Sequence, residues 1–281
     1  MSRSASPRTA LTLVDDARAA RRGIGAFNVV LLEHAEAIVS GAERADRAVI
    51  LQISENAVAY HGSLEPIAAA SLAVARSAAV PAVVHLDHAE DVELVYAAVE
   101  LGVHSVMFDG SRLPFAENVQ TTRRVVDFCH ARGVVVEAEL GEVGGKDGVH
   151  APGARTLPAE AVAFVADTGV DSLAVAVGTS HAMTDRVATV DRGLIADLAA
   201  AVPVPLVLHG SSGLSDDELV ASVRSGMTKI NISTHLNGLF TAAVRDALAA
   251  DTGMVDARKY VRPAREAMAA EVERLLRLLA P

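Results

Sequence analysis

Along most of the chain, short runs of apolar, mainly β-branched residues alternate with longer stretches whose apolar residues recur every three to four positions. The first pattern reads as buried strand and the second as amphipathic helix. Strands are predicted at residues 24–29, 48–53, 82–87, 104–109, 134–139, 172–177, 205–209 and 228–232. Helices are predicted at 33–45, 64–79, 90–101, 115–132, 158–168, 191–200, 215–225 and 234–249. Eight strands, each followed by a helix, favour an α/β fold, a closed parallel (β/α)8 TIM barrel, over an open doubly wound sheet.

Residues 9–22 read as a helix ahead of the first strand, placed to close the bottom of the barrel. A disordered extension is expected at 1–9. An Arg-rich helical tail is expected at 256–281, able to reach a neighbouring subunit. No composition shift marks a boundary, so 1–281 reads as a single domain. The rhythm breaks once, over 140–157 (LGEVGGKDGVHAPGARTL), a glycine-rich loop of the length that barrels reserve for function.

Composition narrows the chemistry. With 51% hydrophobic residues in 281, a large core is readily built, and a net charge of −10 argues against nucleic acid as a partner. A small phosphorylated ligand is not excluded, since it needs only local donors. Cys129 is the single cysteine, which leaves no disulfide framework and no thiolate metal cluster. The first ten residues lack an apolar core and no later run of eighteen apolar residues occurs, so no membrane association and a cytoplasmic location are expected.

Active sites of such barrels gather at the C-terminal ends of the strands. Those ends carry Asn28, Gln52 with Ser54, Asp87 with His88, Asp109, Glu139, the run Gly178 to His181, the run His209 to Gly213, and Asn231 with Ser233 and Thr234. Three histidines (His88, His181 and His209) closing the third, sixth and seventh strands form the donor composition of a zinc site with one position left for substrate. Asp87 and His88 are sequence neighbours, so in a regular strand their side chains leave on opposite faces unless the turn redirects one. Asp87 is then free for acid/base work or for orienting a histidine. Asp109 and Glu139 stay near the ion. HGSSGLSDDEL reads as a Gly/Ser turn entering a helix, with Ser215 as N-cap and Glu218 completing a capping box. Together with KINIST it supplies the loops after strands seven and eight, where barrels commonly hold phosphate.

These segments resemble a known family. AFNVVLLEHAEAI, VVHLDHAED, HSVMFDGSRLPFAENV, VVDFCHARGVVVEAELGEVGG, DSLAVAVGTSHAM, PLVLHGSSGLSDDEL, KINIST and DARKYVRPAREAM are similar, in order, to the class II fructose-bisphosphate and tagatose-bisphosphate aldolases. The resemblance implies one catalytic Zn2+ per subunit on His88, His181 and His209, with a second metal position beside Asp109 and Glu139 and a monovalent cation left open. It implies Asp87 as the proton donor and acceptor at the hydroxyl next to the cleaved bond. Dihydroxyacetone phosphate would be held by Ala182, Gly210, Ser211, Ser212, Asn231, Ile232, Ser233 and Thr234. Ser54 would meet the other half, and Arg258 a distal phosphate. A homodimer or homotetramer acting on a small phosphorylated sugar follows.

Three departures are visible. Ala182 stands where relatives usually have glycine. The run GGKDG replaces the usual GGxED, leaving Asp147 or Glu142 for the second proton. Thr184, Asp185 and Arg186 follow without the lysine some members carry there. A phosphosugar epimerase or hydrolase on the same barrel, and a non-catalytic aldolase-like subunit, are the competing readings.

Overall fold

The computed structural model describes residues 10–140, 155–180 and 183–280. Its strands are β1 (Ile24–Asn28), β2 (Val49–Ser54), β3 (Ala82–Ala89), β4 (Ser105–Phe108), β5 (Val135–Leu140), β6 (Ser172–Val175), β7 (Leu206–Leu208) and β8 (Met227–Ile232). They close into a parallel barrel in sequence order, β8 pairing back onto β1. Helices α1 (Ala10–Ala19), α2 (Leu32–Ala45), α3 (Glu55–His61), α4 (Glu65–Ser77), α5 (Val92–Glu100) and α6 (Phe115–His130) cover the first half. Helices α7 (Pro158–Thr168), α8 (Arg192–Ala201), α9 (Asp216–Ser225), α10 (Thr234–Ala250) and α11 (Ala257–Leu278) cover the second.

Every expected strand is present. The short helix α3 has no counterpart in the sequence reading, because seven residues (ENAVAYH) do not complete an apolar period. It starts where Ser54, at the end of β2, accepts a hydrogen bond from the Ala57 N–H. At α9, Ser215 is the N-cap as expected, accepting from the Glu218 N–H. The Glu218 carboxylate does not return the bond; it takes Arg192 and the Val190 N–H instead.

Strands that look uniformly apolar are divided by parity once the barrel closes. Phe27, Leu51, Ile53, Val84, Leu86, Val106, Phe108, Val136 and Ile230 pack with the helices in the main core. Met107, Ala174 and Val207 form a separate small cluster inside the barrel. Ala26, Ile50 and Val83 meet Ala10, Leu13, Val14 and Ala17 of α1, which closes the bottom. The top is therefore the open end.

Helix α11 lays its apolar stripe (Ala264, Met268, Ala269, Val272, Leu276) into the core of its own chain, against α2. Gly41 makes this approach possible, since a Cβ there would fall 2.5 Å from the Ala269 carbonyl oxygen. Arg44–Glu266 and Arg265–Glu36 bridges flank the seam. Cys129 is buried, and burial pushes its thiol up to about 12, so it is chemically inert.

Candidate active site

The open end is organised around an irregularity in β3. Its pairing with β4 runs His85 to Ser105 and Leu86 to Val106, then jumps to Ala89 with Phe108. Two residues, Asp87 and His88, therefore face one, and His88 takes a φ of 49°. A bulge of this kind re-aims a side chain. Adjacent residues that a regular strand would send to opposite faces both reach the mouth. A left-handed conformation at a non-glycine residue costs about 1–3 kcal/mol and persists only where the surroundings hold it. Here His88 Nδ1 is held 2.8 Å from Asp109 Oδ2.

Two imidazoles meet in the centre, His88 Nε2 lying 2.7 Å from His209 Nδ1. Their outer nitrogens are committed: His88 Nδ1 to Asp109, and His209 Nε2 to Glu137 Oε1 at 3.1 Å. A carboxylate only accepts, so each outer nitrogen carries its proton, and the two inner nitrogens face each other across a shared proton or a shared cation. Two lone pairs this close repel unless positive charge sits with them. Ring nitrogens oriented by carboxylates behind them are what a histidine metal centre requires. Asp87, His88 and His209 offer one ligand group, and His88, Asp109 and Glu139 a second. Burial alone would lower the His88 imidazole, but Asp87, the hydrogen bond to Asp109 and the Glu139 charge together push it up to about 9. The site draws positive charge, and the residues present fit a divalent ion.

Asp87 is buried beside this pair. Asn28 Nδ2 donates to its Oδ2 at 3.1 Å, and Asn231 Nδ2 lies 3.4 Å from its Oδ1. Gln52 in turn donates to Asn28 Oδ1. Burial pushes the Asp87 carboxyl up, but His88, Lys229, His209 and the Asn28 hydrogen bond outweigh it and hold the group below its ordinary value. It is an ionised carboxylate, poised to accept a proton.

One layer down, Lys229 Nζ of β8 donates to Glu137 Oε2 of β5 at 2.8 Å and approaches His85 Nε2 at 3.3 Å. Burial, then the Lys229 charge, keeps His85 neutral, well below its ordinary value. Lys229 is thus engaged inside the barrel and does not line the cleft, which argues against a Schiff-base role. Lys229→Met should cost about 3–5 kcal/mol, because Glu137 would stay buried without its cation. Urea unfolding measures this; a change below about 1 kcal/mol would contradict the pairing.

Above the imidazoles lies a cleft of about 570 Å³. Gly210 takes a φ of 68°, and a Cβ there would fall 2.6 Å from the Ser180 carbonyl oxygen, so the loop after β7 needs glycine to pack on the loop after β6. Thr179 Oγ1 donates to the His209 carbonyl at 2.7 Å and ties the same two loops. Ser211 to Gly213 form a single 3-10 turn, and Ser212 Oγ accepts from the backbone N–H of Ser233 and His235 at the start of α10. Two loops are joined there, with a helix N-terminus between them, as an anion-binding corner requires.

Of the residues expected from sequence, Ser54, Asp87, His88, Asp109, Gly210, Ser211, Ser212, Asn231, Ser233 and Thr234 line this one cleft. His209 and Glu139 lie directly beneath, fully buried. Ile232 is buried with its side chain in the helix-facing core. Arg258 is not brought to the cleft of its own chain; it is exposed at the start of α11 and held by Asp256. His181, Ala182, Glu142 and Asp147 lie outside the described residues; Ser180 and Met183, which flank the first two, pack on Gly210 and Gly213. Glu137 was missed by the sequence reading, although it sits two positions from Glu139 and strand alternation puts both on one face.

The chain matches the family model described as "Fructose-bisphosphate aldolase class-II" over residues 8–280. It is 39% identical to a fructose-bisphosphate aldolase of Thermus caldophilus over a 287-residue alignment, covering 92% of this chain and 93% of that one. Among solved structures it is similar to the YdjI aldolase of Escherichia coli K12, with a TM-score of 0.83 and 31% identity over 97% of this chain and 96% of the other. A putative fructose-1,6-biphosphate aldolase of Coccidioides immitis gives a TM-score of 0.86 and 30% identity over 98% and 96%. With sequence match, barrel and the paired imidazoles in agreement, the chain belongs to the class II fructose-bisphosphate aldolase family.

Proposed function

We propose that this chain reversibly cleaves a ketose 1,6-bisphosphate, of the fructose or tagatose type or a related phosphoketose, to dihydroxyacetone phosphate and an aldehyde such as glyceraldehyde 3-phosphate. The observation that carries the reading is the pair of facing imidazole nitrogens with the Asp87 carboxylate beside them. His88 and His209 hold a zinc ion with His181, and Asp109 and Glu139 serve a second position. When bound, the ion stabilises the negative charge that develops as the C3–C4 bond breaks.

The remaining work falls to the chain itself. Asp87 accepts the C4 hydroxyl proton in cleavage and returns it in condensation, held in place by Asn28 and Asn231. The corner formed by Gly210, Ser211, Ser212, Ser233 and Thr234 binds the phosphate of the dihydroxyacetone half, assisted by Ala182. Ser54 faces the other half. Glu142 or Asp147 handles the proton on the dihydroxyacetone phosphate carbon. The protein works as a homodimer or homotetramer in the cytoplasm; among the described residues no helix is long and apolar enough to cross a membrane.

Metal analysis paired with triose-phosphate release from fructose and tagatose 1,6-bisphosphates, with and without chelator, tests this. Chelator-sensitive release from at least one sugar is expected. Release that survives complete removal of metal would overturn the assignment.

A further inference from the structure

A ring of side-chain contacts runs outward from the anion-binding corner and returns to it. Ser212 Oγ, in the turn after β7, accepts from the backbone N–H of Ser233 and His235. The His235 imidazole is held as well, its Nε2 lying 2.7 Å from Glu271 Oε1 of α11. Arg274, three residues further along α11, donates to the same carboxylate from Nε at 2.8 Å and from Nη2 at 2.7 Å. Its guanidinium also reaches both oxygens of Asp216, the first residue of α9. Asp216 Oδ1 in turn takes Nη2 of Arg186, from the loop after β6, at 2.7 Å. Arg186 Nε donates to the Leu214 carbonyl at 2.6 Å, two residues from Ser212, and the ring is closed.

A single exposed ion pair is worth little, but two-pronged arginine–carboxylate contacts joined in a network are the exception. The Glu271 and His235 side chains are only 15% and 21% exposed. Burial pushes the Glu271 carboxyl up, but the hydrogen bonds from Arg274 and His235 outweigh it and hold the group at about 2. The hydrogen bond from Arg274, with that from Arg186 behind it, holds Asp216 below its ordinary value against burial. The bridges that α11 makes through Arg265 and Glu266 run instead to α2. Within the ring two carboxylates face two guanidiniums, so removing one member leaves a charge of known sign beside the corner.

We propose that Glu271 and Arg274 are positioning residues for the phosphate corner, acting through His235 and Asp216. They hold the start of α10 against the turn after β7, so that both halves of the corner stand ready for one phosphate group. Donors fixed beforehand need less ordering when the ligand arrives. Loosening them weakens binding of the phosphorylated half and leaves the bond-breaking step alone, which raises KM at nearly constant kcat. The inference rests on the corner and the aldolase reading above, and brings the C-terminal helix into substrate binding.

The test compares the metal-loaded enzyme with its E271A, E271Q, R274Q and R265Q variants, each shown to be folded by its melting temperature. Affinity for dihydroxyacetone phosphate is read by calorimetry with no aldehyde present, beside kcat and KM for ketose bisphosphate cleavage. E271A and R274Q should each weaken dihydroxyacetone phosphate about tenfold, with KM rising in step. E271Q keeps an acceptor for His235 and should recover part of the loss. R265Q, which breaks a bridge from α11 to α2, should bind as the wild type does. A pure charge effect would give opposite signs, tighter binding in E271A and weaker in R274Q, and would overturn the proposal. Unchanged affinity in both, or an equal loss in R265Q, would overturn it too. If the wild type binds dihydroxyacetone phosphate but cleaves no ketose bisphosphate, the aldolase reading fails while the binding comparison still decides the proposal. If it binds none, the corner and the proposal fall together.

Discussion

Replacing His209 by alanine removes metal and activity together. His209 is fully buried, its Nδ1 faces His88 Nε2, and its Nε2 is fixed by Glu137, so neither a neighbour nor water can take over the lone pair it supplies. Loss of a Lewis acid worth several kcal/mol corresponds to roughly a thousandfold or more in rate. Two measurements separate this from simple misfolding. Metal content of the folded variant should drop to background, and its melting temperature should stop responding to added zinc, whereas that of the wild type rises. A His209→Ala protein that retained stoichiometric metal would remove His209 from the ligand set.

Asp87→Ala, in contrast, should keep its metal and lose turnover. The carboxylate is one residue from His88 and close enough to both imidazoles to be a ligand itself, so the outcome decides between two roles. The amides of Asn28 and Asn231 already occupy both of its oxygens, and its ionised state suits a base. Positioned proton transfer contributes about 10²–10⁴-fold, and kcat should fall by that factor with little change in KM. Loss of metal in Asp87→Ala would make it a ligand; a near-normal rate would end its acid/base role.

Much of this site is legible before any folding is considered. In a barrel the C-terminal strand ends converge, so reading the residue at each end collects His88, His209, Asp87, Asp109, Glu139 and Asn231 with no knowledge of contacts. The loops after β7 and β8 declare themselves through Gly, Ser and Thr before a helix. What the linear pattern hides are partners brought together across the barrel. Lys229 and Glu137 are 92 residues apart and look like isolated strand charges until they meet inside the barrel. Glu218 looks like a capping-box carboxylate, yet Arg192 takes it. Arg258 sits in a motif that points to substrate, yet its nearest anion is two residues away.

The sequence by itself determined the eight-stranded barrel and the closing helix, and it marked most of the described residues that line the cleft, because period, burial and capping act over a few neighbouring positions. Only the tertiary structure decided that Asp87 and His88 share one mouth, which depends on the register jump between β3 and β4 and the positive φ at His88. It also decided which strand ends face each other, and so that the Gly/Ser/Thr corner at β7 and β8 stands opposite the loop beyond β4. Register and closure are properties of the whole ring: each strand's position is set by the pairing of all the others, and no local segment carries that information.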